Sequence, residues 1–344
     1  MSAPPTDLDE DGGQEYGGPR NDTLTAVSGV MVGHWTQAEA RTGCTVVVLP
    51  EEGAVASGTV LGAAPGTRET ALLAPEKSVQ RVHAFVLTGG SAFGLATADG
   101  VVRGLEARGI GHPTPAGPVP IVPTAALFDL MVGDPSTRPG ADEGGAALAD
   151  ADVGPVRQGA IGAGAGATVG KLAGFALAEP SGLGSALVRL GGARVGALAV
   201  SNAAGDIVDP SDGRIIAGAG FGSDPERVAA LFTPASRSCS GPRATALSGA
   251  NTTLVVVVTD APLSKAAARA LADAAHVGIA RVTRPSHTVV DGDTTFVAST
   301  GRGPDVDLAA LGVAVQNVVA EAIVRGVRAV READRAGSEE GRAG

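Results

Sequence analysis

The chain has 344 residues, 44% of them apolar but only 3% aromatic, so a sizeable core must be filled by Ala, Val and Leu rather than by rings. Lys and Arg number 26 against 36 Asp and Glu, a net charge of −10 with no basic run, which argues against a nucleic-acid binder that works by neutralising phosphates. Two cysteines, Cys44 and Cys239, supply neither a disulfide framework nor metal-ligand spacing.

The first 20 residues, MSAPPTDLDEDGGQEYGGPR, are acidic and rich in Pro and Gly and are expected to be a disordered tail. They lack the basic start and apolar run of a signal peptide, and no stretch reads as long enough to span a membrane, so a soluble, cytoplasmic protein is expected. Short apolar runs then predict strands at TLTAVSGVMVG, at TGCTVVVLP, where Cys44 reads as a small buried hydrophobe, and at HAFVLT. A helix is expected from Ser91 through Arg108 with Ser91 as its N-cap. The preceding Gly-Gly resembles a nucleophile elbow only superficially, because Phe93 stands where that turn needs Gly. His83 cannot be placed beside Ser91 by sequence, and Phe128 in ALFDL is a candidate pocket lining.

Further along, ARVGALAVSN, TTLVVVV and TTFVAST predict strands, and Gly220–Gly249 reads as a long exposed connector. Apolar residues return every three or four positions in SKAAARALADAAHVGIARV and in DLAALGVAVQNVVAEAIVRGVRAVREADR, predicting two helices. The last ten residues, 335–344, are expected to be a second disordered tail. In TTLVVVV both alternating sets, Val255 with Val257 and Leu254 with Val256 and Val258, are apolar. A strand apolar on both faces needs cover on both, which predicts a layered α/β architecture.

The chemistry is suggested by GANTT, where a turn-like segment runs directly into that buried strand. An internal Thr has no base of its own, but cutting the bond before it frees an α-amine that can take the hydroxyl proton. Such an amine, with a pKa of about 7.7 to 8.0, is partly neutral at pH 7, whereas an ordinary Lys near 10.4 is not. Thr is also common at strand starts, and this stretch alone leaves both readings open. Asp291 and Asp293 in HTVVDGDTTFVAST lie two apart, close enough for one carboxyl to rise in pKa unless a cation lies between them; two solvated turn residues are the alternative. The glycine-rich AIGAGAGATVGKLAG ends at Lys171 but fails the Walker pattern at Ala165 and Leu172 and the dinucleotide pattern at Val169. Unobstructed N–H groups and one lysine would suit an oxyanion or carboxylate; tight packing is the plainer account. Asn202, at a strand end, could donate to an oxyanion, although Asn in a turn is common.

Taken together, GAAPGTRET, LTGGSAFGL, GAGAGATVGKLAG, AVSNAAGDIVDP, NTTLVVVVTDAPL and HTVVDGDTTFVAST resemble, in that order, the L-aminopeptidase/D-esterase family. That family includes the β-peptidyl aminopeptidases and the nylon-oligomer hydrolase. The resemblance implies a four-layer αββα fold like that of N-terminal nucleophile hydrolases, shared in type with ornithine acetyltransferases. It also implies a single catalytic domain over 21–334, cut between Asn251 and Thr252 into two associated chains, with no metal or cofactor and commonly a homotetramer. Residue by residue, it implies Thr252 as nucleophile, Asn202 as oxyanion donor, and Lys171, Asp291 and Asp293 as the lysine and aspartate pair of the nylon-hydrolase branch. The aminopeptidase branch has a serine nucleophile and Ser then Glu at the acidic positions, so this chain resembles the nylon-hydrolase branch more closely. The expected activity is hydrolysis of amide bonds in small peptides or amide oligomers through an acyl-enzyme. An acyltransferase of the ornithine acetyltransferase type and a non-enzymatic anion-binding protein are the rivals.

Overall fold

The computed structural model of the chain describes residues 21–220, 224–231 and 250–343. The expected N-terminal tail lies outside the described residues, as does most of the expected connector with Cys239; within that connector a short helix, α3 (Pro225–Leu231), is described.

Two sheets dominate. The first runs β1 (Met31–Gln37), β2 (Thr42–Val48), β6 (Ala84–Thr88), β7 (Thr124–Ala126) and β4 (Gly66–Arg68). The second runs β10 (Leu183–Leu190), β11 (Ala193–Asn202), β14 (Thr252–Thr259), β16 (Thr294–Ser299), β3 (Ala54–Val60) and β5 (Arg81–Val82). Two small sheets sit beside them: β8 (Thr168–Val169) pairs with β9 (Glu179–Pro180), and β12 (Asp206–Val208) lies between β13 (Ile215–Ala217) and β15 (Thr283–Arg284).

Side-chain alternation along the strands builds the layers. On the outer face of the first sheet, Cys44, Val46 and Val48 pack on Val101 and Leu105 of α1 (Thr97–Glu106) and Leu148 of α2 (Ala141–Ala149). Between the sheets, Val47, Phe85 and Leu87 meet Leu198, Leu254, Val256, Val258 and Phe296. On the far face, Val255, Val257 and Val297 pack on Leu271 and Ile279 of α4 (Lys265–Val282) and Val319 and Ile323 of α5 (Leu308–Ala343). The result is the expected four-layer αββα sandwich. Both apolar sets of β14 are used, one toward each layer, and each buried Val or Leu contributes about 1.5–3 kcal/mol. Few rings are needed because backbones approach closely: a Cβ on Gly184 of β10 would stand 2.0 Å from the Ala322 carbonyl oxygen of α5.

Some expected elements differ. Ser91 is not a helix N-cap: Gly90, in the left-handed region at φ 78°, occupies that position before a 3₁₀ turn over Ser91–Ala96, and α1 begins only at Thr97. Asp129 draws this turn inward, its carboxylate accepting from Gly90 N at 2.8 Å. The first expected strand opens as a 3₁₀ turn, Leu24–Ala26, which buries Leu24 and Val27 before β1 starts. The expected C-terminal tail is helical through Ala343, because Ala, Arg and Glu there are good helix formers that extend α5 without an apolar stripe. Over Leu308–Ser338 this helix is also long and apolar enough to cross a membrane, contrary to the expectation. Its apolar stripe, including Leu311, Val315 and Val319, is buried in the core instead.

The inter-sheet layer depends on Phe85 and Phe296, whose rings stack at 4.8 Å with an interplanar angle of 7°. Phe296→Ala should lower unfolding stability by about 3–5 kcal/mol in a urea titration, the range expected for emptying a buried ring site.

Candidate active site

Strand order brings the chemistry to one end of the second sheet. Strand β11 runs antiparallel to β14 with Asn202 opposite Thr252, so the last residue of one strand meets the first of the other. Strand β16 runs parallel to β14, with Leu254 opposite Thr294, and an isolated bridge continues the pairing to Asn251 and Asp291. The residues just before β14 and just before β16 therefore lie side by side. The LGAAPG segment after β3 holds the acidic stretch in place: Ala64 N donates to Asp291 O at 2.9 Å and Leu61 N to Asp293 O at 3.1 Å.

Thr252 is buried at 2% exposure, and its Oγ1 donates to the carbonyl oxygen of Asn251, the residue immediately before it, at 2.5 Å. The same carbonyl accepts Gly292 N–H at 2.8 Å. The hydroxyl thus lies against its own upstream peptide bond, and a backbone donor is already aimed at the oxygen that would become negative on attack. Gly292 permits this approach, since a Cβ there would stand 2.5 Å from Ala64 O and 2.9 Å from Thr252 Oγ1.

Lys171 and Asn202 lie one peptide upstream. Lys171 is fully buried, and its Nζ donates to Asn202 O and Oδ1, both at 2.8 Å, and to Ala250 O at 3.2 Å. All three partners are uncharged. Burial, only partly offset by the charges of Asp291 and Asp129, lowers its pKa to about 7. The Asn202 amide donates to Phe128 O at 3.0 Å and Ala250 O at 3.2 Å. The glycine-rich segment delivers Lys171 rather than cradling an anion. Its N–H groups at 164, 165 and 167 bond within the segment, Thr168 N bonds Asn202 Oδ1, and Gly170 N bonds Gly205 O.

Both aspartates are about 1% exposed. Asp291 accepts from Ala204 N at 3.1 Å, from Thr288 N at 3.0 Å and from the Thr288 hydroxyl. Burial first, then the neighbouring Asp293 charge, raises its pKa. Asp293 Oδ1 accepts Thr253 N–H at 2.6 Å, one peptide beyond the Thr252 nitrogen, and its Oδ2 is 2.7 Å from His287 Nδ1. The structure therefore gathers all the expected residues, Lys171, Asn202, Asn251, Thr252, Asp291 and Asp293, at one end of the sheet.

Three participants were not legible as site residues. Gly292 N–H could have been suspected from a glycine set between two aspartates. His287, four residues before Asp291, gave no spacing signal. Asp129, in the quoted ALFDL, is a buried carboxyl held by Gly90 N and by Thr42 Oγ1 at 2.7 Å, and burial raises its pKa. It directly follows Phe128, whose carbonyl accepts from the Asn202 amide; the Phe128 side chain itself is half-buried.

The model of peptidase family S58 matches residues 22–342. An uncharacterized aminopeptidase of Mycobacterium tuberculosis (strain ATCC 25618 / H37Rv) is 42% identical over 333 residues, covering 89% of this chain and 93% of its own. A 6-aminohexanoate-oligomer endohydrolase of Paenarthrobacter ureafaciens is 29% identical over 299 residues, covering 83% of this chain and 81% of its own. Among solved structures, a Burkholderia sp. β-aminopeptidase superposes with a TM-score of 0.65 at 22% identity, covering 89% of this chain and 86% of its own. The L-aminopeptidase D-Ala-esterase/amidase of Ochrobactrum anthropi, described as a variant of the N-terminal nucleophile hydrolase fold, gives 0.64 at 19% identity, covering 89% and 85%. The two structures establish the fold, and the family match along nearly the whole described chain establishes the class: the chain belongs to peptidase family S58 and is a hydrolase of peptide or amide bonds.

Proposed function

We propose that the chain cuts itself between Asn251 and Thr252 and that the freed Thr252 is the nucleophile for amide hydrolysis in small peptides or linear amide oligomers. The observation that carries this reading is the Thr252 hydroxyl 2.5 Å from the Asn251 carbonyl oxygen, with Gly292 N–H on the same oxygen.

In the self-cleavage step, Thr252 Oγ1 attacks the Asn251 carbonyl carbon and the C–N bond to Thr252 breaks. Its nitrogen takes up the hydroxyl proton. Water then cleaves the ester, leaving a carboxylate on Asn251 and a free amine and hydroxyl on Thr252. During turnover the amine accepts the Oγ1 proton as Oγ1 attacks a substrate amide, and the leaving amine is protonated as the acyl-enzyme forms. Departure of the Ala250–Asn251 segment releases the Asn202 amide and the Lys171 ammonium from the Ala250 carbonyl, so both can serve a substrate oxyanion. Asp291 and Asp293 fix the strand ends on which the amine sits.

The oligomer hydrolase among the relatives, together with the threonine and aspartate pair, favours linear amides as substrates, with water as the acyl acceptor. The anion-binding rival has little support, because N–H groups along the glycine segment already bond protein oxygens within and beside it and its lysine is sealed from solvent. Transfer to an amine is distinguished by product analysis with and without added amine. The homotetramer is part of the same proposal, and light scattering on the purified enzyme checks it.

Thr252→Ala should remain a single chain and lose hydrolysis of peptide amides and 6-aminohexanoate oligomers; hydrolysis at the wild-type rate by this variant would refute the assignment. Gly292→Ala, by pushing on Ala64 O and Thr252 Oγ1, should slow self-cleavage by about 100-fold or more in a gel time course. Asn202→Ala in processed enzyme should lower kcat by roughly 10²–10³-fold, the usual cost of removing one oxyanion donor.

A further inference from the structure

His287 is drawn into the site by an unusual backbone. Its φ of 53° lies in the left-handed region, and its side chain is only 15% exposed. Nε2 is 3.1 Å from His276 O, which can only accept, so Nε2 carries a proton. Nδ1 is 2.7 Å from Asp293 Oδ2, and the His287 backbone N–H reaches the same oxygen at 3.2 Å. A neutral imidazole has one N–H, yet both ring nitrogens face acceptors, so an ionised Asp293 requires a doubly protonated, cationic ring.

The titratable groups acting on this ring are Asp293 and Asp291, which precede β16, and His276 on α4. The His276 ring meets it edge-on at 4.9 Å, and burial first, then the charge of His287, lowers the pKa of His276 to about 4. His276 is therefore neutral near pH 7 and does not compete for the counter-ion role. Burial alone would discharge His287, but the hydrogen bond and charge of Asp293, aided by the His276 carbonyl, outweigh it and raise its pKa. Lys171 cannot replace it, because its three hydrogen bonds go to uncharged oxygens.

We propose that His287 is a positioning residue whose imidazolium neutralises Asp293, so that the Thr252 amine one peptide away stays unprotonated near neutral pH. This rests on the Thr252 reading above. An uncompensated carboxylate beside an amine favours the ammonium form, which is useless as a base, so removing the histidine charge should move the amine titration upward.

The test uses purified, self-processed wild type and His287→Gln, which can still donate to Asp293 but cannot carry charge. The acid limb of the kcat/KM profile should move up by roughly one pH unit in the variant, giving about a tenfold loss below the limb and little loss above it. Superimposable limbs, or a loss equal at every pH, would overturn the proposal. Should the variant fail to fold or process, ¹⁵N spectra of histidine-labelled wild type decide instead. Protons on both His287 nitrogens at pH 7 support the proposal, and a singly protonated ring contradicts it. Failure of the parent reading is seen separately, as wild type that stays uncut or Thr252→Ala that retains activity.

Discussion

The site depends on the position of one buried strand. Strand β14 is apolar on both faces because it is sandwiched between helices on one side and the first sheet on the other, and a one-residue slip would exchange the two sets. Its register is further fixed by eight opposed pairs with β11 and six with β16. With that register set, Thr252 has to face Asn202 and lie alongside the Asp291–Asp293 segment. The hydroxyl, the preceding carbonyl and the Gly292 N–H converge as a consequence of sheet pairing.

Electrostatics then decide what these groups can do. Lys171 is held by uncharged oxygens, and burial brings its titration close to neutrality. Asp291 is pushed up by burial and by Asp293, while Asp293 meets a histidine whose own titration is raised. The stabilisation from the His287–Asp293 pair is complete below the ordinary histidine value and is lost as pH rises through the raised one. Balanced charges in so enclosed a site limit the cost of desolvation.

Much of this was legible in the sequence, for identifiable reasons. The strands ARVGALAVSN, TTLVVVV and TTFVAST coincide with β11, β14 and β16, each a short apolar run with β-branched residues bounded by turn-forming segments. Among the elements that went unread, β3 with its Ala, Ser and Gly and the short α2 are built largely from small residues whose packing comes from close backbone approach rather than from an apolar pattern. Thr252 stood out as a candidate because GANTT carried a chemical reason, whereas Lys171 and the aspartate pair became candidates through the family resemblance. His287 and Asp129 did not, because their roles are created by distant partners: Thr42 and Gly90 for one, the carbonyl of His276 on α4 for the other. The expected C-terminal tail failed for a further reason, since helix-forming polar residues and a disordered composition look alike in one sequence.

The central claim is that Thr252 becomes a chain terminus. Intact mass and N-terminal sequencing of the purified wild-type protein test it most directly. The account predicts two associated chains, the larger ending at Asn251 and the smaller beginning Thr-Thr-Leu. A chain that stays whole after prolonged incubation, yet hydrolyses amides, would contradict it.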